Sequence, residues 1–208
     1  MLSKYQSAAL VAKWLAIAAI AVHAPYASAQ PMVEVPMLGA VQLGLNGKGE
    51  VNRCGLELLG GSVAGTTRRI FDVSLYADAS GRGLGKLTIK AGEINVPPEK
   101  LTSEEVHGGW IRAQGTAAAM PIGALIEGET PDSKLYVTEF TPALITLFSI
   151  VADAQPAQVA IESKPGLATV YFGKPAIEAA HRAQFIQCME DLEKTMSSEA
   201  DRMRDSAK

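Results

Sequence analysis

Apolar and polar residues alternate with a period of two over much of this chain. From Arg69 to Ala77, Phe71, Val73 and Leu75 take one parity, while Asp72, Ser74 and Tyr76 take the other. Successive side chains of a strand point to opposite faces, so this stretch predicts a strand with one buried and one wetted side. Ser80-Gly81-Arg82-Gly83 predicts a turn. Leu84–Ala91 then repeats the alternation, with Leu87 and Ile89 inward and Lys86, Thr88 and Lys90 outward. Together they predict an antiparallel hairpin. Val41–Leu45 and Val51–Leu59 predict a second around Asn46-Gly47, a dipeptide that tolerates the positive φ of tight turns. Gly60-Gly61 and Gly65 read as a loop after it. Gln158–Glu162 and Leu167–Phe172 predict a third hairpin around Pro165-Gly166.

The middle of the chain is less regular. Pro97-Pro98 interrupts it, and Thr102 or Ser103 followed by Glu104-Glu105 predicts a short helix ended by Gly108-Gly109. Trp110-Ile111-Arg112 reads as a strand. Ile122–Ile126 and Leu135–Phe140 read as two more around Thr130-Pro131-Asp132. Thr141-Pro142 resembles a helix start, with Thr as cap and Pro in the first turn. Ala143–Ala152 is then a fully buried helix, although its Ile and Val content also suits a strand. The period changes to 3.6 near the end. Ile177, His181, Phe185, Cys188, Met189, Leu192 and Met196 share one face, with Glu190, Glu193 and Lys194 outside it. This predicts a helix over about 175–196, followed by a polar tail at 197–208 that frays.

The expected fold is therefore mainly β (α+β). It is an antiparallel sheet or small β-sandwich with a C-terminal amphipathic helix, in a single domain spanning 30–196. The 208 residues, 48% of them hydrophobic and with a net charge of -3, exclude a disordered chain. The same charge excludes a nucleic-acid binder that needs a concentrated basic surface.

The opening 29 residues follow another logic. Lys4 and Lys13 precede an uncharged run from Trp14 to Val22, then Pro25 and Ala27-Ser28-Ala29. Positive charge, a short apolar core and small residues form the pattern of a cleaved secretory signal. The run is shorter than the roughly 20 residues a bilayer span needs. Cleavage after Ala29 would leave 179 residues. Removing Lys4 and Lys13 from the 19 basic residues leaves 17 against 22 acidic, a net charge of -5. The expectation is an exported protein with no integral membrane span once the signal is gone. Cys54 and Cys188, the two cysteines, then meet in an oxidising compartment and are expected to form a disulfide joining the last helix to the N-terminal sheet.

Candidate chemistry is sparse. Gly60-Gly61-Ser62-Val63-Ala64 departs from the G-x-S-x-G nucleophile elbow at Ala64 and is followed by a strand where the elbow needs a helix. Gly81-Arg82-Gly83-Leu84-Gly85 lacks both the helix and the Lys-Ser/Thr of a phosphate loop. His107 stands beside Glu104 and Glu105, too few ligands to imply a metal. His181 lies on the apolar stripe of the last helix. No catalytic set, metal or cofactor is read from the chain. Arg68-Arg69 with Arg82, Lys86 and Lys90 could form a basic strip for an acidic partner, although lysines on an edge strand also block aggregation. Trp110 beside two glycines could anchor a partner.

The Val170-Tyr171-Phe172 strand, followed by Phe185-Ile186-Gln187-Cys188 on an amphipathic helix, resembles the closing segment of small periplasmic proteins of Gram-negative bacteria. The resemblance covers about the last 50 residues and implies a compartment, not an activity. The leading expectation is a non-enzymatic periplasmic binding or accessory protein. It would contact another envelope protein, such as part of a secretion or conjugation machine, through the first hairpin and the 92–134 region. The alternatives are an inhibitor or immunity-type protein that uses Trp110, and an envelope hydrolase whose dispersed site includes His107 or His181.

Overall fold

The computed structural model describes residues 31–128 and 133–206. The expected signal at 1–29 and the turn at 130–132 lie outside them. The chain runs β1 (Met32–Glu34), β2 (Met37–Leu45), β3 (Val51–Ala64), β4 (Thr67–Asp78), β5 (Arg82–Glu93), β6 (Thr102–Ser103), β7 (Gly108–Ala113), β8 (Ile126–Glu127) and β9 (Ser133–Glu139). Helix α1 (Phe140–Val151), strands β10 (Ala157–Lys164), β11 (Leu167–Gly173) and β12 (Pro175–Ala176), and helix α2 (Ala179–Ser206) follow. One sheet has the order β1-β11-β10-β7. The other has the order β12-β2-β3-β4-β5-β9-β8, with β6 added on β5. The pairs are antiparallel except β1 on β11 and β12 on β2.

The fold is mainly β, and its inner faces meet as the alternation requires. Leu56, Leu58, Phe71, Val73, Leu75 and Leu87 are fully buried on the larger sheet, as are Ile111, Val159 and Ala157 on the smaller. Phe71 packs on Tyr171 across the gap, ring centroids 4.8 Å apart. Helix α1 rests on β4, β5, β7 and β9 and so closes one end of this core. Helix α2 lies on β2 and β3, and Phe148 of α1 meets Phe185 of α2 edge to face at 5.3 Å. Cys54 and Cys188 are bonded, with Cα atoms 5.9 Å apart, which joins α2 covalently to β3.

The three hairpins form where the alternation places them, and five details differ. Gly60 and Gly61 do not make a loop: they continue β3 to Ala64. A Cβ on Gly60 would sit 2.2 Å from the Phe71 ring, so glycine is there to admit the ring, not to turn the chain. The turn is at Gly65, with φ of 59°. The helix expected at 102–105 is instead β6, because Ser103 pairs with Lys90 and the Glu104 N–H reaches the Ile89 carbonyl. The run 122–126 is mostly irregular. Gly123 has φ of 85°; the Ile122 N–H reaches the Val137 carbonyl of β9, and Ile126–Glu127 forms the short strand paired with it.

Residues 140–151 are a helix with Glu139 at the N-cap position and no side-chain capping bond, so Thr141 lies inside its first turn and is not the cap. It is not fully buried: Ile145 is 45% exposed and Phe148 38%. Finally, Pro175 belongs to β12, paired with Met37, and α2 starts at Ala179. The helix runs on to Ser206, past the tail boundary expected at 197. No helix among the described residues is long and apolar enough to cross a membrane.

Candidate functional site

The expected basic strip does not form one patch. Pairing puts Arg82, Lys86 and Lys90 on the outer face of β5, opposite Asp78, Ser74 and Ile70 of β4. Arg69 has the parity of Phe71, and so lies on the other side of the sheet, where its Nε meets Glu104 Oε1 at 3.2 Å. Arg68 donates to the Val96 carbonyl. Lys86 meets Asp72 at 3.4 Å. Strand β5 is interior to its sheet, so edge protection does not explain its lysines.

Trp110 is half-buried on β7, where the Arg112 guanidinium stacks over its ring at 4.8 Å and Arg112 Nε donates to Gln158 at 2.7 Å. A cation already occupies one face of the indole. His107 Nε2 lies 3.7 Å from Glu105. His181 has a buried Nδ1 without a hydrogen bond. Ser62 sits within β3, where it bonds the Tyr171 hydroxyl, so the glycine-serine segment has no elbow geometry. Among the described residues, no group of three or more His, Cys, Asp or Glu side chains is placed to hold a metal.

Two arrangements arise that the linear sequence does not mark. The first is a polar row on the outer face of the larger sheet. Glu57 of β3 lies opposite Ser74 of β4, which lies opposite Lys86 of β5. Glu57 also reaches Asp72, and Gln42 Nε2 donates to Glu57 Oε2 at 2.9 Å. Partial burial raises the Glu57 pKa above the ordinary carboxylate range. The neighbouring Asp72 charge and hydrogen bond add to the rise, while Lys86 and Gln42 oppose it. One buried Asp72 oxygen has no hydrogen-bond partner.

The second is an open groove of about 630 Å³ between α1 and α2. Phe140, Leu144 and Phe148 recur every four residues on α1, so they form one wall. On α2, Phe185, Cys188, Leu192 and Thr195 are buried in the core. The adjacent stripe, from Ile186 through Met189 and Met196 to Ala200, forms the other wall. The fourteen steps from Ile186 to Ala200, at a rise of 1.5 Å each, give a trough about 21 Å long. Glu190 and Glu193 are among the residues that line it, and no Lys or Arg is. Sequence reasoning stopped the helix at 196 and set both glutamates outside its apolar stripe. The seven-residue spacing of Met189, Met196 and Met203 is the signal that would have extended it. The groove offers contact area and charge, not catalytic groups.

No family model, curated protein or solved structure matches this chain.

Proposed function

We propose that this chain is an exported binding or accessory protein of the Gram-negative periplasm, which acts by contacting another envelope protein through the groove between α1 and α2. The groove carries the reading. Ile186 on one wall is 40% exposed and Phe148 on the other 38%, apolar surface that water would otherwise wet. Exposed apolar surface of this kind, rimmed by charge, marks a contact site. The signal-like opening segment supports export. So does a disulfide between residues 134 apart, since such a bond persists in an oxidising compartment. This moves the expected contact surface from the first hairpin and residues 92–134 to the two helices.

The test is site-specific photo-crosslinking in cells. A photoreactive residue at Phe148 should give one discrete adduct, whose partner is identified by mass spectrometry and then binds the purified chain. Ile186→Glu should abolish both adduct and binding. Equal adducts from Phe148 and from Thr66, on the β3–β4 turn at the opposite end of these strands, would sink the proposal, as would recovery of the natural protein from the cytosol with Met1 intact.

A further inference from the structure

The groove has a direction and a period that say what fits it. Ile186, Glu193 and Ala200 are seven residues apart, and so are Met189, Met196 and Met203. Two interleaved seven-residue series make a seam of the kind that receives another helix, because a 3.5-residue period keeps facing a partner that coils around it. Met203 prolongs the seam and is 67% exposed, beyond the residues that form the groove. An enclosed ligand would need walls on both sides along its length. A helix lying in the groove needs α1 only over its first turns and can follow α2 onward. Methionine suits such a surface, since its unbranched, polarizable side chain adapts to the shape it meets.

Charge selects among helices. Glu190 stands beside the apolar seam and Glu193 occupies a position within it, and neither is in an ion pair within 4 Å among the described residues, although Lys194 lies near enough to interact with Glu190. We infer that the groove receives an amphipathic helix of a partner protein, about four turns long. That helix carries an apolar heptad stripe with Lys or Arg along its edge, long enough to reach Glu190 beside the seam and Glu193 within it. The inference rests on the groove being the contact surface and adds the chemistry of its occupant.

Three labelled 21-residue peptides test it by fluorescence anisotropy against the full, disulfide-bonded chain. One has Leu at the heptad seam with Lys flanks, one the same Leu with Glu flanks, and one is the Lys peptide with its seam scrambled. The Lys heptad peptide should bind at least tenfold tighter than either other. The double change Glu190→Lys and Glu193→Lys should reverse the preference toward the Glu peptide. Met203→Asp, on an exposed position that folding does not need, should weaken binding at least threefold with an unchanged melting temperature.

Equal binding of the scrambled peptide would reduce the effect to general charge attraction and overturn the inference. So would failure of all three peptides, tighter binding of a dansylated long-chain fatty acid, or a concentration-dependent dimer in sedimentation equilibrium that Met203→Asp dissolves. If the peptides fail while the Phe148 crosslink still yields its identified partner, the occupant is wrong and the contact surface stands. If both fail, the groove is not a binding site.

Discussion

The inner and outer faces of β3, β4 and β5 are made from the same three strands, yet they do opposite things. On the inner face Leu58, Val73 and Leu87 lie abreast and are fully buried. One residue along, Glu57, Ser74 and Lys86 lie abreast on the outer face, where Asp72 links Glu57 to Lys86 through hydrogen bonds. Strand propensity cannot account for the contrast, because both rows belong to the same backbone. Parity does: each inner side chain loses water and contributes about 1.5–3 kcal/mol, whereas each outer one trades water for a polar neighbour at little net gain. Stability is therefore concentrated on one side of the sheet.

The contrast can be broken most severely from the inside. Replacing both Cys54 and Cys188 by Ser opens a bridge that closes a 134-residue separation. It should cost about 4–5 kcal/mol in the chain-entropy description, read as a lower urea midpoint. Phe71→Ala empties the space against Tyr171 and above Gly60, and should cost about 3–5 kcal/mol in the same assay.

The outer face responds to pH instead. The folded-state pKa of Glu57 is raised, so the native chain binds this proton more tightly than the unfolded chain does. Native stability should fall as pH rises from the ordinary value of 4.5 through the raised one, and be level beyond. Glu57→Gln should flatten that slope and raise the midpoint at neutral pH relative to the parent; an unchanged slope would show that Glu57 and Asp72 do not share the network described. Leu38→Ser is the mildest change. Leu38 is 62% exposed on the outer face, opposite Leu59, and the substitution should move stability by less than about 0.5 kcal/mol.

Much of this architecture was legible because it is local. The alternation at 69–77 and 84–91 defines a face before any partner is known, and the third hairpin follows from Pro165-Gly166 in the same way. The disulfide followed from two cysteines and an opening segment that reads as a signal. What failed was local evidence overruled at long range. Glycine at 60 signals a turn until Phe71 lies across it. Thr102-Ser103-Glu104-Glu105 signals a helix start until β5 offers its edge. Residues 143–152 were ambiguous because nearly every position is apolar, and only the packing reveals that Ile145 and Phe148 face out. The groove was illegible for a related reason: its walls come from helices about 45 residues apart, and neither wall is concave by itself. Glu57 and Asp72 are separated by a whole hairpin, and nothing in either neighbourhood announces the other.

The placement of the shortest strands constrains how the molecule is made. Met32–Glu34 has β11 as its neighbour, and Met37–Leu38 is flanked on its outer side by Pro175–Ala176. During synthesis these early segments are exposed for more than 130 residues before their neighbours leave the ribosome. Until then the open margin of β2 can template a stranger. A sheet finished by its own late-made neighbours has high contact order and folds slowly. A holdase that shields residues 32–45 until Leu167–Ala176 is available should therefore raise the yield of folded chain.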